Sequence, residues 1–180
     1  MLIIKVPQTE LFDPKTETFN YLPETILKLE HSLISISKWE SRWHKAYLKK
    51  DPNRTVAETL DYVRCMSLTP VDLQTVSRLG PKDFETIQAY INEQSTATTV
   101  KHIGGPKNSN QTVTSELIYA WMTELRIPWE AQKWHLSRLM TLIDVMNERQ
   151  KPQKKMSQAQ TAKQNTAINA ARRARYNTRG

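Results

Sequence analysis

A single cysteine, Cys65, among 180 residues excludes an intrachain disulfide and leaves nothing for a structural zinc site built on several thiolates. Glycine is almost as scarce, at four. Neither the G-x-x-x-x-G-K-[ST] phosphate loop nor the G-x-G-x-x-G dinucleotide turn is present, so nucleotide chemistry has no sequence support. No apolar run reaches eighteen residues, and Lys5 interrupts Met1-Leu2-Ile3-Ile4 before a signal-type apolar core forms. The sequence therefore predicts no membrane span, no secretory signal and a cytoplasmic setting. The four histidines, His31, His44, His102 and His135, show no H-x-x-x-H or H-E-x-x-H spacing. Glu30-His31-Ser32 holds residue types used in triads, but neighbours in an extended segment do not face one another, and a polar cluster at a strand end is the simpler reading. Carboxylates are scattered rather than paired for acid and base work. The expectation is a non-enzyme, with no catalytic, cofactor or metal residues.

Acidic residues are also missing from one end of the chain. Residues 1–147 carry 17 Lys and Arg against 17 Asp and Glu, whereas residues 148–180 carry nine Lys and Arg against Glu148 alone. All of the net charge of +8 thus belongs to the last 33 residues. A neutral body trailed by a cationic arm is not the pattern of a domain that grips nucleic acid over one face.

What is present divides the chain into three parts: residues 1–32, a small β element; 33–147, a helical domain with a polar loop at about 94–112; and 148–180, a basic tail. Leu2, Ile4 and Val6 alternate with Ile3 and Lys5, and Pro7 closes this strand. Turn chemistry at Asp13-Pro14 followed by Thr18-Phe19-Asn20-Tyr21 predicts a hairpin, and Leu27 and Leu29 a further strand, so three or four strands make a small sheet. From there the period becomes helical. Ile36, Trp39, Trp43 and Tyr47 fall on one stripe, with Ser32, Ser35 or Ser37 as candidate caps and Asp51-Pro52-Asn53 as the stop. Thr55 caps a helix bearing Val56, Leu60 and Val63. Thr69-Pro70 opens a third helix that Gly80-Pro81 ends, and Phe84, Ile87, Tyr90 and Ile91 share a face of the fourth. Gly104-Gly105-Pro106 marks the loop. Thr114 or Ser115 starts a helix through Leu117, Ile118, Trp121, Met122 and Leu125, which Ile127-Pro128 breaks. The next carries Leu136, Leu139, Met140, Ile143 and Met146. The two read as an αα-hairpin at the centre of the domain. Trp39 and Trp43 read as core; Trp129 and Trp134 fit their stripe less well and mark a candidate protein-binding patch.

The tail has Met156, Ile168 and Tyr176 as its only large apolar residues, too few to offset backbone ordering of roughly 1–2 kcal/mol per residue. It reads as flexible, or as a helix formed on a partner, since Gln158–Arg175 is rich in alanine. Its cations permit docking to an acidic protein surface or nucleic-acid binding.

Leu29-Glu30-His31-Ser32-Leu33, Ser37-Lys38-Trp39-Glu40-Ser41-Arg42-Trp43, Ser115-Glu116-Leu117-Ile118-Tyr119 and Gln132-Lys133-Trp134-His135-Leu136-Ser137-Arg138-Leu139 resemble blocks of the tail assembly chaperones of long-tailed bacteriophages. The resemblance extends to the basic end, from Pro152-Gln153-Lys154-Lys155 onward. It implies a non-enzymatic, largely helical protein that binds the tape measure protein in the host cytoplasm during tail assembly. In that setting Trp129, Trp134, His135 and Arg138 form a client groove, and Lys154, Lys155, Arg172, Arg173 and Arg175 steer the client. No cofactor is implied, and a homo-oligomer remains open. The alternative is a structural virion protein of the tail or head-tail connector, whose basic arm contacts a neighbouring subunit or DNA.

Overall fold

Alternation of apolar and polar residues at the N-terminus is realised as strand β1 (Leu2–Val6), which pairs antiparallel with β4 (Thr25–Leu29), while β2 (Thr9–Asp13) pairs with β3 (Thr18–Leu22). The computed structural model describes residues 1–14, 17–98, 112–150 and 158–177. Where one small sheet was expected, there are two ladders of two strands each. They keep one register: Val6 lies opposite Thr25 and Thr9 opposite Leu22, with Pro7-Gln8 facing Pro23-Glu24 in the gap. Each proline lacks the N–H a ladder needs, so the long hairpin is interrupted on both strands at the same level. Ile4, Val6, Leu27 and Leu29 bury the inner face of the proximal half. In the distal half Phe12 and Phe19 stay exposed, their ring centroids 5.2 Å apart.

Ser32 caps α1 (Leu33–Trp43) reciprocally with Ser35, Thr55 caps α2 (Val56–Met66) with Glu58, and Thr114 caps α5 (Ser115–Glu124). These hydrogen bonds satisfy first-turn amides that have no acceptor within the helix. The third helix, α3 (Leu73–Ser77), is short and is capped by Asp72, not Thr69, because the Asp72 carboxylate accepts from Thr75 N at 2.7 Å. Gly80 and Pro81 both end it and open α4 (Pro81–Ile91), where the Asp83 side chain accepts from Gly80 N.

Helix α1 stops earlier than its aromatic stripe suggested. His44 adopts a left-handed conformation and donates its N–H to Glu40 O, so Tyr47 lies in the loop that follows rather than on the helix. The helical packing runs through α1, which meets α2, α5 and a 3-10 turn at Trp129–Lys133. That turn separates α5 from α6 (Leu136–Gln150), so the tight αα-hairpin expected at the centre is replaced by α1 as the hub. Arg126 in a left-handed conformation and the Ile127-Pro128 break reverse the chain before the turn begins. Leu33, Ile36 and Trp39 of α1 are buried with Tyr62, Val63 and Met66 of α2, Ile118 and Met122 of α5, and Leu136, Leu139 and Ile143 of α6.

The chain divides into two compact units, Met1–Asn147 and Glu148–Gly180. In the second, α7 (Gln158–Tyr176) is helical, and each of its side chains described, from Ala162 onward, is exposed. No described helix is long and apolar enough to cross a membrane. The protein is thus mainly α-helical with a small N-terminal β element. The loop around Gly104-Gly105-Pro106 (residues 99–111) and Lys154 and Lys155 lie outside the described residues.

Buried carboxylates hold these elements together. Glu40 Oε1 accepts from Tyr47 N at 2.8 Å and Oε2 from Ser115 N at 2.7 Å, tying α1 to the following loop and to the first turn of α5. Glu40→Ala strands both amides and is expected to cost roughly 2–4 kcal/mol in urea unfolding, with Glu40→Gln, which keeps one acceptor, costing less. Equal stability of Glu40→Ala and the parent protein would refute this role.

Candidate functional site

Glu30, His31 and Ser32 follow β4, and their side chains diverge. Glu30 accepts from the Tyr90 hydroxyl at 2.7 Å and pairs with the Met1 ammonium at 2.9 Å. Ser32 is spent on capping α1. His31 is buried, its Nδ1 hydrogen-bonded to the Tyr62 hydroxyl, and its carbonyl accepts from Leu136 N at 2.7 Å. The three neighbours therefore serve three partners, and the strand-end polar cluster is what the geometry shows.

Around His31 lies a set of rings. His135 stands 5.3 Å away edge to face, and Tyr62 5.9 Å away. Tyr47 stacks on Tyr62 at 3.7 Å. His135 Nε2 sits 3.0 Å from the Tyr90 carbonyl, which only accepts, so Nε2 carries the proton and Nδ1 accepts from Ser137 N. Burial, reinforced by neighbouring His135 and opposed by Glu30, lowers the His31 pKa to about 4. Burial likewise raises Tyr47 to about 12 and pushes Tyr62 well above its ordinary value. Burial also raises the Cys65 thiol, with Asp61 adding to the effect, so the lone cysteine is not an activated nucleophile.

Of this cluster His31 and Tyr47 line a cleft of about 680 Å³ between the 44–55 loop, α4 and α6, together with Leu48, Lys49, Lys50, Arg54, Ile91, Leu136 and Met140 among others. A second recess of about 470 Å³ adjoins it, sharing Tyr47, Arg54, Gln88 and Ile91 and adding Val63, Phe84 and Ile87. Of the α4 stripe only Ile87 is fully buried, while Phe84 and Ile91 stay half-buried at the opening. Arg54 stands between the two recesses. Its guanidinium lies 4.5 Å from the Tyr47 ring centroid and 5.2 Å from that of Trp39, and Nη2 donates to Tyr47 O at 2.7 Å. Its Nε is buried with no hydrogen-bond partner among the described residues.

The loop that forms the lip is held at several points. Lys45 pairs with buried Glu58, a contact that raises the Lys45 pKa and, with the Thr55 amide, lowers that of Glu58. Asp51 accepts from Asn53 N at 2.9 Å, and Glu40 accepts from Tyr47 N.

The residues expected to form one client groove do not come together as such. Trp134, His135 and Arg138 line a separate recess of about 490 Å³ with Met1, Glu30, Tyr90, Glu93 and Lys133. Its walls are polar, and the Arg138 guanidinium covers the Trp134 ring at 4.4 Å. Trp129, 54% exposed, instead meets Tyr119 at 5.7 Å. The 3-10 turn between the two tryptophans sends their indoles to different neighbours. Trp39 and Trp43 face inward as expected, their indole N–H groups donating to Glu58 O and Asp61 Oδ2. Arg172, Arg173 and Arg175 sit exposed on α7. In the sequence Tyr47 falls on the stripe of Trp39 and Trp43 and Phe84 and Ile91 on one face of the fourth helix, while Lys49, Lys50 and Arg54 belong to no motif. The adjacent cations just before the Asp51-Pro52-Asn53 turn were the only available signal.

Among the described residues no group of three or more His, Cys, Asp or Glu is placed to hold a metal ion. No protein-family model, curated protein or solved structure matches the chain.

The His31 shift has a pH consequence. Above about pH 6.5 the imidazole is neutral in both states; below it the unfolded chain takes up a proton that the folded chain refuses until about pH 4. Stability is therefore lost as pH falls through that window, by about 2 kcal/mol between pH 7 and pH 5. His31→Gln should remove most of that loss, as read from urea midpoints at the two pH values. An unchanged pH dependence in the variant would show that His31 is not its source.

Proposed function

We propose that the protein is a non-enzymatic bacteriophage tail assembly chaperone that binds the tape measure protein during tail morphogenesis. The observation that carries the reading is α7: nineteen residues without one carboxylate, its described side chains exposed, ending in Arg172, Arg173 and Arg175 beside Tyr176. An isolated helix of this length is marginal in water, so the helix is best accounted for by a partner surface that it meets. The resemblance of the Ser37–Trp43 and Gln132–Leu139 blocks to tail assembly chaperones names the client. A long helical client with uncovered apolar stripes aggregates unless another protein shields them.

Co-expression with the tape measure protein of the same tail-gene module tests this. The parent chain should keep the client soluble and co-purify with it. Joint substitution Arg172→Glu, Arg173→Glu and Arg175→Glu should reduce the soluble client severalfold while leaving the thermal unfolding of the chaperone unchanged. A client equally insoluble with and without the parent chain would end the proposal. The same cationic helix favours a second reading, a virion component whose arm contacts a neighbouring subunit or DNA. Mass spectrometry of purified particles separates the two, since a chaperone is absent and a virion component is present in stoichiometric amount.

A further inference from the structure

We infer that the two adjoining recesses between the 44–55 loop and α4 form one docking groove for an acidic amphipathic segment of a partner polypeptide. The inference rests on the reading of this chain as a binding protein, but not on the identity of the client.

Three observations meet there. First, the groove has an apolar floor in its own unit: Leu48, Phe84, Ile91 and Met140 are each partly or largely accessible where the recesses open. A helix laid in such a groove places residues at i, i+3 or i+4, and i+7 on that floor. Second, the lip is cationic. Lys49 and Lys50 are exposed and form no ion pair with any described residue, and Arg54 has a buried Nε without an acceptor. Carboxylates flanking an apolar stripe would meet the two lysines. Third, the lip is preorganised. Glu40 holds Tyr47 N, Glu58 holds Lys45, and Arg54 holds Tyr47 O, so both ends of the lip are fixed before docking, which lowers the ordering cost.

Charge also decides against the chain's own tail as occupant. Residues 149–180 contain no carboxylate side chain, and the like charges of α7 and of Lys49, Lys50 and Arg54 repel. An acidic partner segment suits the groove on both counts.

The test uses the full-length protein and two fluorescein-labelled helical peptides of about 18 residues, each with leucine at the i, i+3, i+4, i+7 positions. One carries glutamate on its remaining positions and the other lysine. Fluorescence anisotropy should show the acidic peptide binding about tenfold or more tightly than the basic one, with affinity falling as salt rises. Lys49→Glu with Lys50→Glu should reverse the preference, and Leu48→Asp should weaken both peptides. Lys49 and Lys50 are exposed, so the urea midpoint of the double variant should not move. Amide NMR shifts on adding the acidic peptide should concentrate at residues 47–54 and 88–92 and at Met140. Absence of binding, equal binding of both peptides, or shifts centred on Trp134 and Arg138 or on the Phe12/Phe19 hairpin would overturn the groove. None of those outcomes would touch the co-expression result, so the chaperone proposal stands or falls separately.

Discussion

The fold depends on carboxylates that are turned inward. Glu40, Glu58 and Asp61 are all buried, on two helices that pack directly together. A buried carboxylate is tolerated only when charge-assisted hydrogen bonds replace its water, and each of the three uses those bonds to fix a different part of the chain. Asp61 binds Arg42, Arg64 and the Trp43 indole N–H, locking the end of α1 against α2. Glu58 closes the cap of its own helix at Thr55 and reaches Lys45. Glu40 has no cation partner among the described residues. It is held by two backbone amides, one belonging to the first turn of α5, where the helix dipole favours negative charge.

From this constraint the cleft follows. The chain leaving α1 at His44 must come back to Thr55 to begin α2, and the inward carboxylates fasten it at Lys45, Tyr47 and Thr55. Tyr47 is thereby laid on Tyr62, and Arg54 is drawn across Tyr47 and Trp39. What remains outside the fastened points is the stretch from Leu48 to Asn53, which projects as a lip over α4 and α6. Helix α4 contributes one fully buried side chain, Ile87, so the space beside it stays open. At the base of the cleft His31 is hydrogen-bonded to the Tyr62 hydroxyl, and burial holds its pKa at about 4, so this imidazole is neutral at pH 7.

Local signals in the sequence reached the structure more often than long-range ones, the Thr69-Pro70 cap that Asp72 supplants being a local exception. The start at Thr55 was legible because a cap is decided within three or four residues, whereas Ser32 was one of three serine candidates and Thr114 one of two. The hairpin and the inward set Ile4, Val6, Leu27 and Leu29 were legible for the same reason, since a strand's faces alternate strictly. Tyr47 shows where this kind of reading ends. Its spacing from Trp43 continues the stripe of α1, yet Glu40, seven residues earlier, takes its amide and the helix has already closed at His44. Nothing local distinguishes a Glu that caps a distant helix from one that faces water. Likewise Trp129 and Trp134 looked like one patch because they are five residues apart, whereas a 3-10 turn gives them separate neighbours.

The charge count carries a subtler lesson. Seventeen cations against seventeen carboxylates in residues 1–147 made the body look electrically featureless. Counting residues, however, ignores which of them water sees. Glu40 is removed from the surface without taking a cation with it, and Glu58 spends its charge on Lys45. On the same stretch of chain Lys49, Lys50 and Arg54 share their two recesses with Asp51, which is engaged with the Asn53 amide, and with Glu85 of α4. A balanced sequence thus folds into a surface with a locally positive lip, because the acidic residues do structural work inside while the basic ones cannot be buried at comparable cost. The interactions that stiffen the loop are the same ones that draw Glu40 and Glu58 away from the surface on which Lys49 and Lys50 stay exposed.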